Sequence, residues 1–147
     1  MITCLKSIEK QNYKFYNLCI LDDKSDDEFT TEYKDIIENY CERNDWTKVF
    51  STENKGPLVS RMKCISLLNP SDDDIIVSID GDDELYNDDV FETINENYQD
   101  KTLITFGNYV SKANNEVIDI PKYNCAKNNR IFKKMEKRNL FRKKWIF

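Results

Sequence analysis

Two short apolar runs that barely alternate constrain this chain more than any other feature: residues 18–21 (LCIL) and residues 75–79 (IIVSI). A strand with one wet face alternates apolar and polar side chains, whereas an unbroken apolar run suits a strand covered on both faces, as in parallel sheets sandwiched by helices. Both runs end on aspartates, Asp22-Asp23 after the first and Asp80-Gly81-Asp82-Asp83 after the second. In an open parallel sheet, ligands sit beyond the carboxyl ends of the strands, so this pattern places two acidic pairs on the edge where chemistry is expected.

The intervening sequence supplies the helices. Ile2, Leu5 and Ile8 give residues 1–10 a helical period, and Tyr33, Ile36, Ile37 and Tyr40 do the same for residues 31–43. Residues 46–50 read as a strand. Asn54-Lys55-Gly56-Pro57 is a turn, followed by a helix whose inner face is expected to be Leu58, Met62, Ile65 and Leu68, stopped by Pro70. After residues 75–79, Asn87 is expected to cap a helix with Asp88 and Asp89 in its first turn and Val90, Ile94 and Tyr98 facing inward. A further strand is expected over residues 103–106, ended by Gly107. This alternation predicts an α/β fold with an open, mostly parallel sheet and right-handed crossovers. With 147 residues and no repeat or low-complexity linker, it is one domain: residues 1–120 form the body and residues 121–147 a basic, aromatic C-terminal segment.

Charge and residue types restrict the chemistry. The net charge of −5 conceals a division: residues 71–90 carry only acids, whereas residues 121–147 carry ten Lys or Arg against the single acid Glu136. The acidic remainder argues against a general nucleic-acid binder. Without histidine, Ser-His and Cys-His nucleophiles are excluded. Cys4, Cys19, Cys41, Cys64 and Cys125 form no CxxC pair, which argues against zinc and reads as small core residues in a reducing compartment. The absence of a signal-like or membrane-spanning run makes the expected location cytoplasmic.

Carboxylates gathered on one sheet edge repel one another unless a cation offsets the charge. All-oxygen ligands suit Mg²⁺ or Mn²⁺, and Mg²⁺ is usually held by one or two carboxylates together with substrate phosphates. A calcium loop is excluded. Setting Gly81 at the sixth position of an EF-hand puts Ile76 first and Asn87 twelfth, where carboxylates are required. A DGDD segment alone is more often a solvated turn.

Three segments in order resemble the family 2 glycosyltransferases, which have the GT-A fold, a Rossmann-like sheet flanked by helices. They are LKSIEKQNYKFYNLCILDDKSDD, NKGPLVSRMKCIS and IDGDDELYNDD. The resemblance implies transfer of a sugar from a nucleotide-diphosphate donor, UDP-linked, with Mn²⁺ or Mg²⁺ held by the DxD segment. It implies that Asp23, helped by Asp22, recognises the base; that Asp80 contacts ribose or metal; that Asp82 binds the metal, supported by Asp83; and that Lys55 and Arg61 lie near the nucleotide or its phosphates. The family's opening strand and acceptor-binding half have no counterpart here, and no general base is evident, Asp119 lying too early. The acceptor, whether glycan, lipid or protein, is not specified by these residues. A catalytically degenerate fragment that still binds nucleotide, and a non-enzymatic interaction module, are the alternatives. The C-terminal segment mixes Ile131, Phe132, Leu140, Phe141, Trp145, Ile146 and Phe147 with basic residues. It is expected to be poorly packed or to cover a surface, with peripheral membrane contact as the competing account.

Overall fold

The computed structural model describes residues 1–25, 30–98, 102, 104–105, 107–111, 116–118 and 144–146. Their order is α1 (Ile2–Glu9), β1 (Cys19–Asp22), α2 (Thr30–Asn44), β2 (Thr47–Phe50), α3 (Pro57–Leu68), β3 (Ile75–Val77), α4 (Val90–Asn97), β4 (Tyr109–Ser111), β5 (Glu116–Ile118) and β6 (Lys144–Ile146). β1 and β2 run parallel, with Cys19 opposite Thr47 and Asp22 opposite Phe50. β3 pairs in parallel with β6, Ile75 opposite Lys144 and Val77 opposite Ile146. The chain is therefore α/β with helices around a small parallel sheet, as the apolar runs require. The two parallel pairs share no ladder with each other among the described residues.

The core forms where α1, α2 and α4 meet β1. Cys4, Leu5 and Ile8 of α1 pack with Ile37, Tyr40 and Cys41 of α2, Leu18 beside β1, Trp46 and Phe91. Tyr40 stacks on Trp46 with ring centroids 6.2 Å apart, and Tyr16 meets Phe91 edge to face at 5.1 Å. Buried Gln11 joins α1 to α4. Its side-chain nitrogen donates to the carbonyls of Ser7 (3.1 Å) and Asn87 (2.6 Å), and its oxygen accepts from the Phe91 N–H (3.0 Å). A buried amide is stable only when its donors and acceptor are all met, and these three bonds meet that condition.

Four expectations change. The inner face of α3 is Ser60 and Cys64, both buried, whereas Leu58 and Met62 are 74% and 56% exposed. Small residues let the helix approach β1 closely, and Cys64 comes against Cys19, whose thiol is pushed up by its hydrogen bond to Cys64 and by burial. The cap of α4 is Asp89 rather than Asn87; the Asn87 side chain accepts from the Asp89 N–H at 3.1 Å, and its carbonyl is taken by Gln11. Residues 104 and 105, expected within a strand over residues 103–106, are exposed and outside any ladder, and the Thr105 N–H donates to the Tyr98 hydroxyl at 3.2 Å. The strand lies beyond Gly107, as β4 in an antiparallel pair with β5. Finally, residues 144–146 of the C-terminal segment, where no strand was expected, form β6 against β3; the expectation that the segment is poorly packed or covers a surface concerns side chains outside the described residues. The remainder of that segment, including Ile131, Phe132, Leu140, Phe141 and Phe147, lies outside the described residues, as do Asp119 and Cys125.

Candidate functional site

The ends of β1 and β3 reach α3 in different ways. At the end of β1, Asp23 turns toward the α3 N-terminus: its carboxylate accepts from the Gly56 N–H at 2.7 Å and from the Lys55 N–H at 3.1 Å. These backbone donors, Lys55 foremost, hold the Asp23 carboxyl below the usual aspartate range. Gly56 permits the geometry. Its φ of 81° and ψ of 162° lie in a region that glycine alone adopts easily, and the Asn54 side chain accepts from the same N–H at 3.1 Å. Pro57 then opens α3, where its missing N–H costs nothing.

Asp22 closes a local turn. Its Oδ1 accepts from the Ser25 hydroxyl at 2.6 Å and from the Ser25 N–H at 3.1 Å, an arrangement common to short polar residues leaving a strand. The Lys55 ammonium pairs with Glu53 at 2.8 Å, which raises the lysine's pKa and lowers that of the glutamate.

Beyond β3, Asp80 meets a side chain instead of backbone. The Arg61 guanidinium, one turn into α3, donates to Asp80 Oδ1 at 2.9 Å, with the two side chains 45% and 66% exposed. The backbone of Asp80 is anchored separately: its carbonyl accepts from the Asp83 N–H at 3.0 Å and from the Cys4 thiol at 3.7 Å. The Ser7 hydroxyl steadies the next residues, accepting from the Leu85 N–H at 3.0 Å and donating to the Cys4 carbonyl at 2.7 Å. α1 thus forms a floor beneath the acidic loop. Burial chiefly pushes the Cys4 thiol up, and the negative charges of Asp83, Asp82 and Glu84 add to the shift. Asp82, Asp83 and Glu84 are exposed.

A cavity of about 240 Å³ touches both strand ends. Leu5, Ile20, Phe50 and Ile79 give it apolar walls, while Asp22 and Gly81 also line it. Ligand clefts for whole drug-sized molecules usually hold ~300–1,000 Å³, so this volume suits one ring of a larger ligand. Among the described residues, no three acidic or thiol groups gather closely enough to cage a metal ion. The donor set is nonetheless the kind a hard cation takes, because Mg²⁺ needs only one or two carboxylates when phosphates complete its shell. The Arg61 guanidinium on Asp80 shows that this carboxylate already attracts a cation.

Of the residues singled out from sequence, the structure joins Asp23 to Lys55 through its backbone and Asp80 to Arg61 through its side chain. It places Asp22 and Gly81 on one cavity, with Asp80 outside its lining, and leaves Asp82 and Asp83 in solvent. Sequence reasoning gave no role to Ser25, Glu53, Ser7, Cys4 or Gln11, although Ser7, Gln11 and Ser25 lie in the segment that carries the family resemblance. The Asp-x-x-Ser spacing could have revealed the bond from Ser25 to Asp22, and the resemblance pointed to Ser7 and Gln11 without saying what they hold, whereas Glu53 and Cys4 carry no such mark. Among the described residues, no helix is long and apolar enough to cross a membrane.

Comparison with known proteins gives one family. The family described as Glycosyl transferase family 2 matches residues 1–147. No curated protein and no solved structure matches this chain.

Proposed function

The chain belongs to glycosyl transferase family 2, and from that premise we propose that residues 1–120 bind a nucleotide-diphosphate sugar, with UDP as the nucleotide, for transfer of the sugar to an acceptor. The observation that carries this reading is the cavity lined by both Asp22 and Gly81, a space the size of one ring with a residue from each acidic strand end on its wall. Its apolar walls accept the base, and the Asp22 and Asp23 carboxylates offer acceptors to the base N–H. An unmet acceptor in such a place disfavours a ligand lacking the matching donor.

Asp80 and Asp82, supported by Asp83, would hold Mn²⁺ or Mg²⁺. When bound, such a metal supplies charge to stabilise the departing nucleoside diphosphate. The protein's own contribution is positional. α1 fixes the loop through Ser7 and Cys4, Asp23 fixes the start of α3, and Arg61 and Lys55 place positive charge between the two. The GT-A-like arrangement thereby orients the donor with its phosphates toward the acidic loop.

Thermal unfolding tests the reading. UDP with Mn²⁺ is expected to raise the melting temperature through preferential binding to the folded state, while ADP with Mn²⁺ raises it less. No shift with any nucleotide, from a chain that unfolds cooperatively, would contradict the proposed donor site.

A further inference from the structure

Asp80 is anchored by its backbone but partnered by an exchangeable group. The Cys4 thiol and the Asp83 N–H hold its carbonyl, so the backbone from which the carboxylate extends stays in place while the carboxylate changes partner. The Arg61 guanidinium reaches that carboxylate from α3 through a single contact of 2.9 Å, and both side chains are exposed, Arg61 by nearly half and Asp80 by about two thirds. Exposed ion pairs of this type contribute only about 0–1 kcal/mol. A divalent ion carries twice the charge and can also draw on the neighbouring carboxylate of Asp82. An arginine placed this way neutralises the acid without holding it strongly.

We propose that Arg61 is the resident counter-ion of Asp80 and is displaced from it when a divalent cation binds. The exchange rests on the metal-dependent donor site proposed above, and extends it by giving the helix arginine a role in the metal-free protein. Displacement also frees the guanidinium, whose planar set of donors matches phosphate oxygens. An ordinary surface pair has no such consequence, because its loss leaves metal affinity untouched.

The two accounts separate in a titration of Mn²⁺ into the full chain without nucleotide, followed by the electron paramagnetic resonance signal of free Mn²⁺. Arg61→Gln removes the competitor and a repelling charge. It is expected to tighten Mn²⁺ binding by about two- to fivefold, the range corresponding to a weak exposed pair. Arg61→Lys keeps a cation on α3 and is expected to return the affinity toward wild type. In an Asp80→Asn background, Arg61→Gln should have a much smaller effect, since the pair is already gone. Thermal unfolding in EDTA establishes that each variant folds.

Unchanged or weaker Mn²⁺ binding by Arg61→Gln overturns the exchange, as does a failure of both wild type and variant to bind Mn²⁺. UDP calorimetry at saturating Mn²⁺ reads the donor site separately. Tighter Mn²⁺ binding by Arg61→Gln with no UDP binding by the wild type would sustain the exchange and remove the donor-site reading. UDP binding with no Mn²⁺ binding by either protein would overturn the exchange and the metal-dependent donor site together, leaving a metal-free nucleotide site.

Discussion

The two acidic strand ends look alike in sequence and behave differently in the fold. The Asp23 carboxylate at β1 is taken up by backbone N–H groups of the turn before α3. At β3, the Asp80 carboxylate is met, among the described residues, by an arginine side chain, and Asp82 and Asp83 stand in solvent. Backbone donors are fixed once the turn forms, so the first end is structural before it is anything else. Side-chain and solvent partners can be exchanged, which leaves the second end available to a ligand. A motif's residue types therefore say less than the kind of partner each residue has acquired.

Substitutions can break this contrast, and the largest effect is expected beneath the exposed loop. Gln11→Leu would strand the buried Phe91 N–H and remove two donors from the Ser7 and Asn87 carbonyls. We expect a loss of about 2–4 kcal/mol in chemical denaturation, from unmet buried polar groups. Gly56→Ala comes next. Added at Gly56, a Cβ meets nothing within 4 Å, so the penalty is conformational, about 1–3 kcal/mol from a φ of 81° with an extended ψ.

Asp23→Asn sharpens the contrast through pH. The folded carboxyl titrates below its unfolded value, so its contribution to stability is complete above the unfolded pKa and is lost as pH falls through the lower folded pKa. Asn lacks that dependence. The variant should melt a few degrees lower than wild type at neutral pH, and the gap should narrow in acid. Asp82→Asn is expected to have the smallest effect on stability, with an unchanged or slightly raised melting temperature because it relieves repulsion in an exposed acidic run. Its metal-dependent nucleotide binding should nevertheless be lost.

The strands β1 and β3 and their parallel pairing were legible because apolar runs without alternation have few other uses. Among the described residues they nonetheless lie in separate two-stranded ladders and not in one sheet. The family resemblance agrees with the match across residues 1–147. α3 was legible as a helix but not in its orientation. Large apolar residues draw the eye to Leu58 and Met62, while contact with β1 is made by Cys64, where a small side chain permits close approach. The positions of the acidic residues were equally plain, and their partners were not. Asp23 bonds to backbone N–H groups, which every sequence possesses, and Gln11 likewise satisfies itself on backbone atoms. Arg61 and Asp80 lie nineteen residues apart, and only the packing of α3 beside the end of β3 brings them together.

Calorimetric titration of UDP into the wild-type chain, once with Mn²⁺ and once with EDTA, tests the central claim most directly. The account predicts saturable heat with Mn²⁺ and none with EDTA. Equal binding in both conditions, or none in either from a folded chain, would contradict the assignment of the β3 acidic end to a metal-dependent donor site.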